Sequence, residues 1–119
     1  MGFRWVTLQV ANMERSLGFY REIVGLETYR HIELPGREIY FLGSGETKLE
    51  LICSQEIVDV SIGQSISLGF GVDSLEKKMD FIRERGLEID SGPFSPNPST
   101  SFFYILDPDG VRIQFIEEK

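Results

Sequence analysis

Val10-Ala11-Asn12-Met13-Glu14-Arg15-Ser16-Leu17-Gly18-Phe19-Tyr20 decides the fold, because the pattern recurs later in the chain. At a constant offset of 62, Val10, Met13, Glu14, Leu17, Phe19 and Tyr20 meet Val72, Leu75, Glu76, Met79, Phe81 and Ile82. Gly25-Leu26-Glu27 meets Gly86-Leu87-Glu88 at 61, and Tyr40-Phe41-Leu42 meets Tyr104-Ile105-Leu106 at 64. Leu49-Glu50-Leu51-Ile52 meets Ile113-Gln114-Phe115-Ile116, also at 64. A period of about sixty residues makes the chain two copies of one unit, residues 1–56 and 63–119, within a single domain.

Each copy reads as a strand, a helix and three strands. Residues 5–10 and 65–72 are extended by composition, and Asn12 and Ser74 are N-caps for the helices that follow. Met13, Leu17, Tyr20 and Val24 form one apolar stripe, echoed by Leu75, Met79 and Ile82, so each helix lays that stripe on a sheet. Gly25 and Gly86 suit the left-handed position that ends a helix. An extended segment follows in each copy, residues 26–34 or 87–90, and then a hairpin. Its first arm is 39–42 or 102–106, its turn Gly43-Ser44-Gly45-Glu46 or Asp107-Pro108-Asp109-Gly110, and its second arm 47–53 or 111–117. Pro at the second position and Gly at the fourth of the later turn fit a type I turn running into a bulge. On the last arms, period 2 sends Leu49, Leu51, Cys53, Ile113 and Phe115 to the helix-covered face. Lys48, Glu50, Ile52, Arg112, Gln114 and Ile116 go to the other, a mixture suited to a pocket wall. The fold class is therefore α+β: two βαβββ units forming a curved mixed sheet around a cleft.

Composition narrows the function. The chain has 119 residues, 41% of them hydrophobic and 26% charged, which is globular rather than disordered. Its net charge of −7 disfavours nucleic acid and anionic membranes. The amino terminus lacks a signal-peptide pattern, and no apolar run approaches a membrane span, so a cytoplasmic location is expected. One cysteine, Cys53, excludes an internal disulfide and reads as a buried small hydrophobe. Lys77-Lys78 and Glu117-Glu118-Lys119 read as solvated surface. The single histidine, His31, reads as an exposed or edge-strand residue. The run from Ser91 to Ser99, with three prolines, reads as a stiff connector at the rim of the cleft, with Phe94 as its apolar contact.

The paired βαβββ units, the Ser16-Leu17-Gly18-Phe19-Tyr20 helix followed by Gly25-Leu26, and the Asp107-Pro108-Asp109-Gly110 hairpin resemble the vicinal-oxygen-chelate superfamily. That superfamily includes glyoxalase I, bleomycin-resistance proteins, fosfomycin-resistance enzymes and extradiol dioxygenases. Its metal-dependent members place ligands on the first and last strands of each unit. The resemblance maps these four places to Trp5, Glu50, Ser67 and Gln114. Glyoxalase-like chemistry has His or Gln, Glu, His and Glu there, so only Glu50 is kept. A divalent ion needs several imidazole or oxygen donors aimed at one point, and Trp5 offers only an N–H. No metal and no cofactor is therefore expected.

The resulting expectation is a metal-free small-molecule-binding protein that sequesters a drug or metabolite, with Trp5, Phe41 (or Tyr40), Glu50, Ser67 and Gln114 as ligand-binding residues. The alternative is a divergent glyoxalase-like lyase or isomerase with Glu50 as catalytic general base. The resemblance implies a homodimer, with a small molecule rather than nucleic acid or a membrane as partner.

Overall fold

The computed structural model describes residues 2–56 and 59–119. The chain divides into two compact units, Met1–Ser61 and Ile62–Lys119. In the first, β1 (Trp5–Gln9), α1 (Met13–Gly18), β2 (Thr28–Leu34), β3 (Arg37–Leu42) and β4 (Lys48–Ser54) build a four-stranded mixed sheet ordered β1-β4-β3-β2. In the second, β5 (Ser67–Gly71), α2 (Leu75–Glu84), β6 (Ser91–Asn97), β7 (Thr100–Leu106) and β8 (Arg112–Glu118) build a sheet ordered β5-β8-β7-β6. In each sheet the first pair is parallel and the other two are antiparallel. Among the described residues no helix is long and apolar enough to cross a membrane.

The helices start where their caps dictate. Asn12 Oδ1 accepts the Arg15 N–H at 2.9 Å, and Ser74 Oγ accepts the Lys77 N–H at 3.2 Å. Each then packs against the last strand of its own sheet, α1 on β4 and α2 on β8. Met13 and Tyr20 are buried in the first unit and Leu75, Met79 and Ile82 in the second, as the apolar stripes require. Leu17 and Val24, however, are only half-buried, and Ser16, Phe19 and Ile23 are buried in addition. The cause is the winding: Phe19–Val24 continues α1 as a π-helical segment, closed by the Gly25 N–H on the Tyr20 carbonyl at 3.1 Å. The wider turn breaks the α-helical spacing from which the stripe was extrapolated.

The strand registers show the internal repeat more sharply than the sequence does. Trp5 pairs with Lys48 and Thr7 with Glu50; 62 and 64 residues on, Ser67 pairs with Arg112 and Gly69 with Gln114. The third strands differ from expectation. Phe41 is the partner of Glu50 and Tyr104 the partner of Gln114, so the offset there is 63, not 64. One residue of slip exchanges the two faces of a strand. Phe41 and Tyr104 are thus counterparts beside Glu50 and Gln114, while Tyr40 lies on the opposite face with Leu51. The extra residue sits in the second hairpin turn.

Four other expectations are corrected. The proline-containing run is not a connector: Ser91–Asn97 is the edge strand β6, paired to β7 at Ser91↔Tyr104, Phe94↔Phe102 and Asn97↔Thr100, while residues 87–90 are irregular. An edge strand tolerates Pro93 and Pro96 because a missing N–H costs nothing on the unpaired side. Glu117 is not free surface either, since its Oε1 accepts the Leu75 N–H at 2.7 Å and ties α2 to β8. Lys78 is half-buried with Nζ 4.7 Å from the Phe81 ring and 4.9 Å from the Phe115 ring, and burial pushes its pKa down. Cys53 is half-buried rather than buried.

The second hairpin turn is held by its first residue. Asp107 is buried, and its Oδ1 accepts the N–H groups of Asp109 and Val111, each at 2.8 Å, while Gly110 takes a φ of 89°. Asp107→Ala leaves the Val111 N–H unpaired in a buried position, at a cost of about 1–3 kcal/mol. Urea denaturation should show that loss, and a midpoint unchanged from the parent would remove the turn from the account of stability.

Candidate functional site

The face of the first sheet opposite α1 carries Trp5 and Thr7 from β1, Glu50 from β4 and Phe41 from β3. Registers alone fix this grouping, because paired residues on neighbouring strands point to the same side. Trp5 is 49% exposed and meets Phe41 edge-on, with ring centroids 5.4 Å apart and planes at 71°. Beside them Glu50 is 9% exposed. A carboxylate so covered needs a hydrogen-bond donor, and the Thr7 hydroxyl supplies it, donating to Oε1 at 2.5 Å. Thr7 is not among the residues that the sequence singles out. Period 2 along β1 was the available signal, since Thr7 follows Trp5 by two residues and must share its face.

The corresponding face of the second sheet carries Ser67, Gly69, Arg112, Gln114, Phe102 and Tyr104. Ser67 is exposed. Gln114 is half-buried, and its Nε2 donates to the Tyr104 hydroxyl at 3.2 Å, which fixes the amide and leaves Oε1 as an acceptor. Gly69 makes room for that oxygen: a Cβ there would stand 3.1 Å from Gln114 Oε1 and 3.1 Å from Ile116 Cδ1. The Arg112 guanidinium lies 4.2 Å over the Tyr104 ring. Tyr104, Phe102 and Phe94 form a ring cluster, with Phe94 itself exposed at the edge. Arg112 is on the face that period 2 predicts, whereas Tyr104 is not singled out by the sequence, because of the one-residue slip.

Of the five expected ligand-binding residues, Trp5, Phe41 and Glu50 come together on one unit, and Ser67 and Gln114 share a face of the other. Chemically, the first face offers one carboxylate acceptor, an indole N–H, two ring surfaces and the cations Lys48 and Arg30, which the registers put on the same side. The second offers an amide oxygen, a hydroxyl, a guanidinium and a row of rings. A divalent ion does not fit the donors of either face. Trp5 has no lone pair for a metal, Ser67 is a weak neutral donor, and Gln114 adds only one neutral amide oxygen. Tyr40, the other aromatic considered, stacks on His31 at 4.0 Å on the opposite face, away from Glu50.

Comparison with known proteins places this arrangement. A curated relative, the lactoylglutathione lyase of Haemophilus influenzae, is 30% identical over 94% of this chain and 89% of its own length. Among solved structures, the trypanothione-dependent glyoxalase I of Leishmania major has a TM-score of 0.85 at 23% identity, covering 99% of this chain and 87% of that one. TnmS3, an antibiotic binding protein from Streptomyces sp. CB03234, has a TM-score of 0.80 at 20% identity, covering 100% and 97%. Both structures share the fold. Residues 2–115 match the family described as the Glyoxalase/Bleomycin resistance protein/Dioxygenase superfamily, and the chain belongs to that family.

Proposed function

We propose that the chain binds a small molecule, a drug or a metabolite, without a metal ion, through Trp5, Phe41, Glu50, Ser67 and Gln114. The observation that carries this reading is the chemistry at the two positions where the family's metal-dependent members have imidazole or amide ligands: an indole at Trp5 and a hydroxyl at Ser67. An exposed indole and a half-buried phenyl ring beside one covered carboxylate are what a binding face uses to hold and orient an organic ligand. Charge favours a ligand with a cationic or hydrogen-bond-donating group against Glu50, and a flat ring against Trp5 and Phe41. The likeness in fold to TnmS3, an antibiotic binding protein, supports this reading.

A second reading is supported by the curated relatives named lactoylglutathione lyase and by the retained Glu50. In it Glu50 takes a proton from the carbon next to a carbonyl, and the Thr7 hydroxyl holds the carboxylate by Oε1, leaving Oε2 to accept the proton. An enolate formed this way needs an electrophile to carry its charge, and Lys48 and Arg30 are the cations that the registers set on the face of Glu50 itself.

A thermal-shift screen of the chelator-dialysed chain across drugs and metabolites tests the first reading. A saturable rise in Tm with an organic ligand is expected, because a ligand at a hundred times its Kd adds about 2.7 kcal/mol. Turnover of lactoylglutathione by the chelator-dialysed chain, abolished by Glu50→Gln, would replace it with the second. The chain is also expected to assemble as a homodimer, which light scattering would report as twice the chain mass.

A further inference from the structure

We propose that the β2–β3 hairpin holds a divalent first-row transition-metal ion through His31, Glu33 and Glu38, a site separate from the four family positions. Glu33 and Glu38 are directly paired across the two strands, and His31 lies two residues along β2 on the same face. His31 Nε2 is 2.9 Å from Glu38 Oε2 and 3.9 Å from Glu33 Oε1, and the three donor atoms all lie within 4.8 Å of one another. An ion bound at roughly 2.0–2.2 Å to each donor sets neighbouring donors about 2.9–3.5 Å apart in four- or six-coordinate geometry. Small side-chain rotations close the remaining gap.

Two features separate this group from ordinary exposed acidic residues. Like charges placed directly opposite on an antiparallel pair repel, so the Glu33–Glu38 pairing opposes the hairpin that carries it, and a cation between them reverses the sign. The imidazole is also held in place, since its ring stacks on Tyr40 with centroids 4.0 Å apart and planes within 9°. That stacking aims Nε2 at the carboxylates instead of leaving the ring to rotate. Glu33 and Glu38 also border an open concavity lined by Arg37, Cys53, Ser54 and Gln55, so both carboxylates are reached from solvent. One imidazole and two carboxylates form a mixed nitrogen and oxygen set, which suits Zn²⁺ and its first-row neighbours better than Ca²⁺ or Cu⁺. With three protein donors and open access, the ion exchanges with solvent and is given up to a chelator.

Calorimetric titration of the chelator-stripped full chain with ZnCl₂ tests the site. One Zn²⁺ per chain is expected, bound at least tenfold more weakly by His31→Ala and by Glu38→Gln, and unchanged in Glu50→Gln. All three site residues are on the surface of a hairpin, and circular dichroism of each variant, with Glu33→Gln as a further one, checks that the fold is kept. The absence of saturable binding, or binding that survives both His31→Ala and Glu38→Gln, overturns the site. Loss of binding in Glu50→Gln with retention in His31→Ala would also overturn it, and would move the ion to the family position and the metal-free reading of that face with it.

Discussion

Glu50→Gln should weaken the bound small molecule by more than tenfold, about 1.4 kcal/mol or more, while leaving the denaturation midpoint nearly where it was. The two halves of that expectation have different causes. Affinity falls because the substitution removes the one strand carboxylate on the face shared by Trp5, Thr7 and Phe41, where its charged neighbours, Lys48 and Arg30, are cationic. A ligand cation or donor that faced a carboxylate then faces a neutral amide, and hydrogen bonds to charged groups contribute about 1.5–3 kcal/mol against 0.5–1.5 for neutral ones. Stability holds because a glutamine keeps an oxygen at the position where the Thr7 hydroxyl donates. The variant has nearly the same shape, so the packing of Leu49 and Leu51 on either side is not disturbed. Calorimetry with a ligand from the thermal-shift screen measures the first quantity and urea denaturation the second. Equal affinity in parent and variant would remove Glu50 from the binding face. A large fall in stability without ligand would make it a structural partner of Thr7 instead.

That face was partly legible in the sequence, and the limits have physical causes. The pleat places Glu50 opposite Leu49 and Leu51 without any knowledge of the fold, and the repeat pairs it with Gln114. The partner of Glu50 was hidden because the pairing of β1 with β4 is parallel and joins residues 43 apart, so no local pattern announces that Thr7 lies beside it. Tyr104 was hidden by a different effect. The second hairpin turn is one residue longer, and a slip of one residue in a strand changes which aromatic side chain stands beside the polar one. His31, Glu33 and Glu38 are close in sequence, yet their common face depends on where the tight turn between β2 and β3 falls.

The elements were more legible than the side-chain directions within them. Caps at Asn12 and Ser74, glycines at 25 and 86 with φ of 93° and 76°, and the buried arms of β4 and β8 follow from local chemistry and from period. Where a local rule failed, a tertiary demand outweighed it. The π-helical segment brings Phe19, Tyr20 and Ile23 to the core together, which α-helical spacing from Met13 does not anticipate. Ser91–Asn97 contains Pro93, Pro96 and Gly92, residues that argue against a strand by propensity. It is one because the edge of β7 pairs with it at three positions and asks nothing of its outer side.

Gly92→Ala should accordingly destabilise the second unit by about 2–4 kcal/mol, the largest effect expected of adding one methyl group anywhere in β6. Gly92 has a φ of 102°, a conformation in which an L side chain is strained by roughly 1–3 kcal/mol. The methyl group would also meet Phe103 Cα and Cβ at 3.0 Å and the Phe102 carbonyl oxygen at 3.1 Å. These are atoms of the neighbouring strand, not the far end of a flexible side chain. Phe103 cannot retreat, since it is fully buried with its ring 5.4 Å from that of Phe115, and moving it disturbs a close-packed core at roughly 1–3 kcal/mol. The strand must therefore peel away from β7 at Gly92 or push the core, and either response lowers Tm by on the order of 10 °C. Hydrogen exchange separates them. Faster exchange confined to the β6–β7 pairing identifies peeling, whereas faster exchange across β7 and β8 identifies a displaced core. A variant with the parent's Tm would mean that β6 is not closely packed on β7 at this position, and that the connector reading of residues 91–99 describes the chain in solution better than an edge strand does.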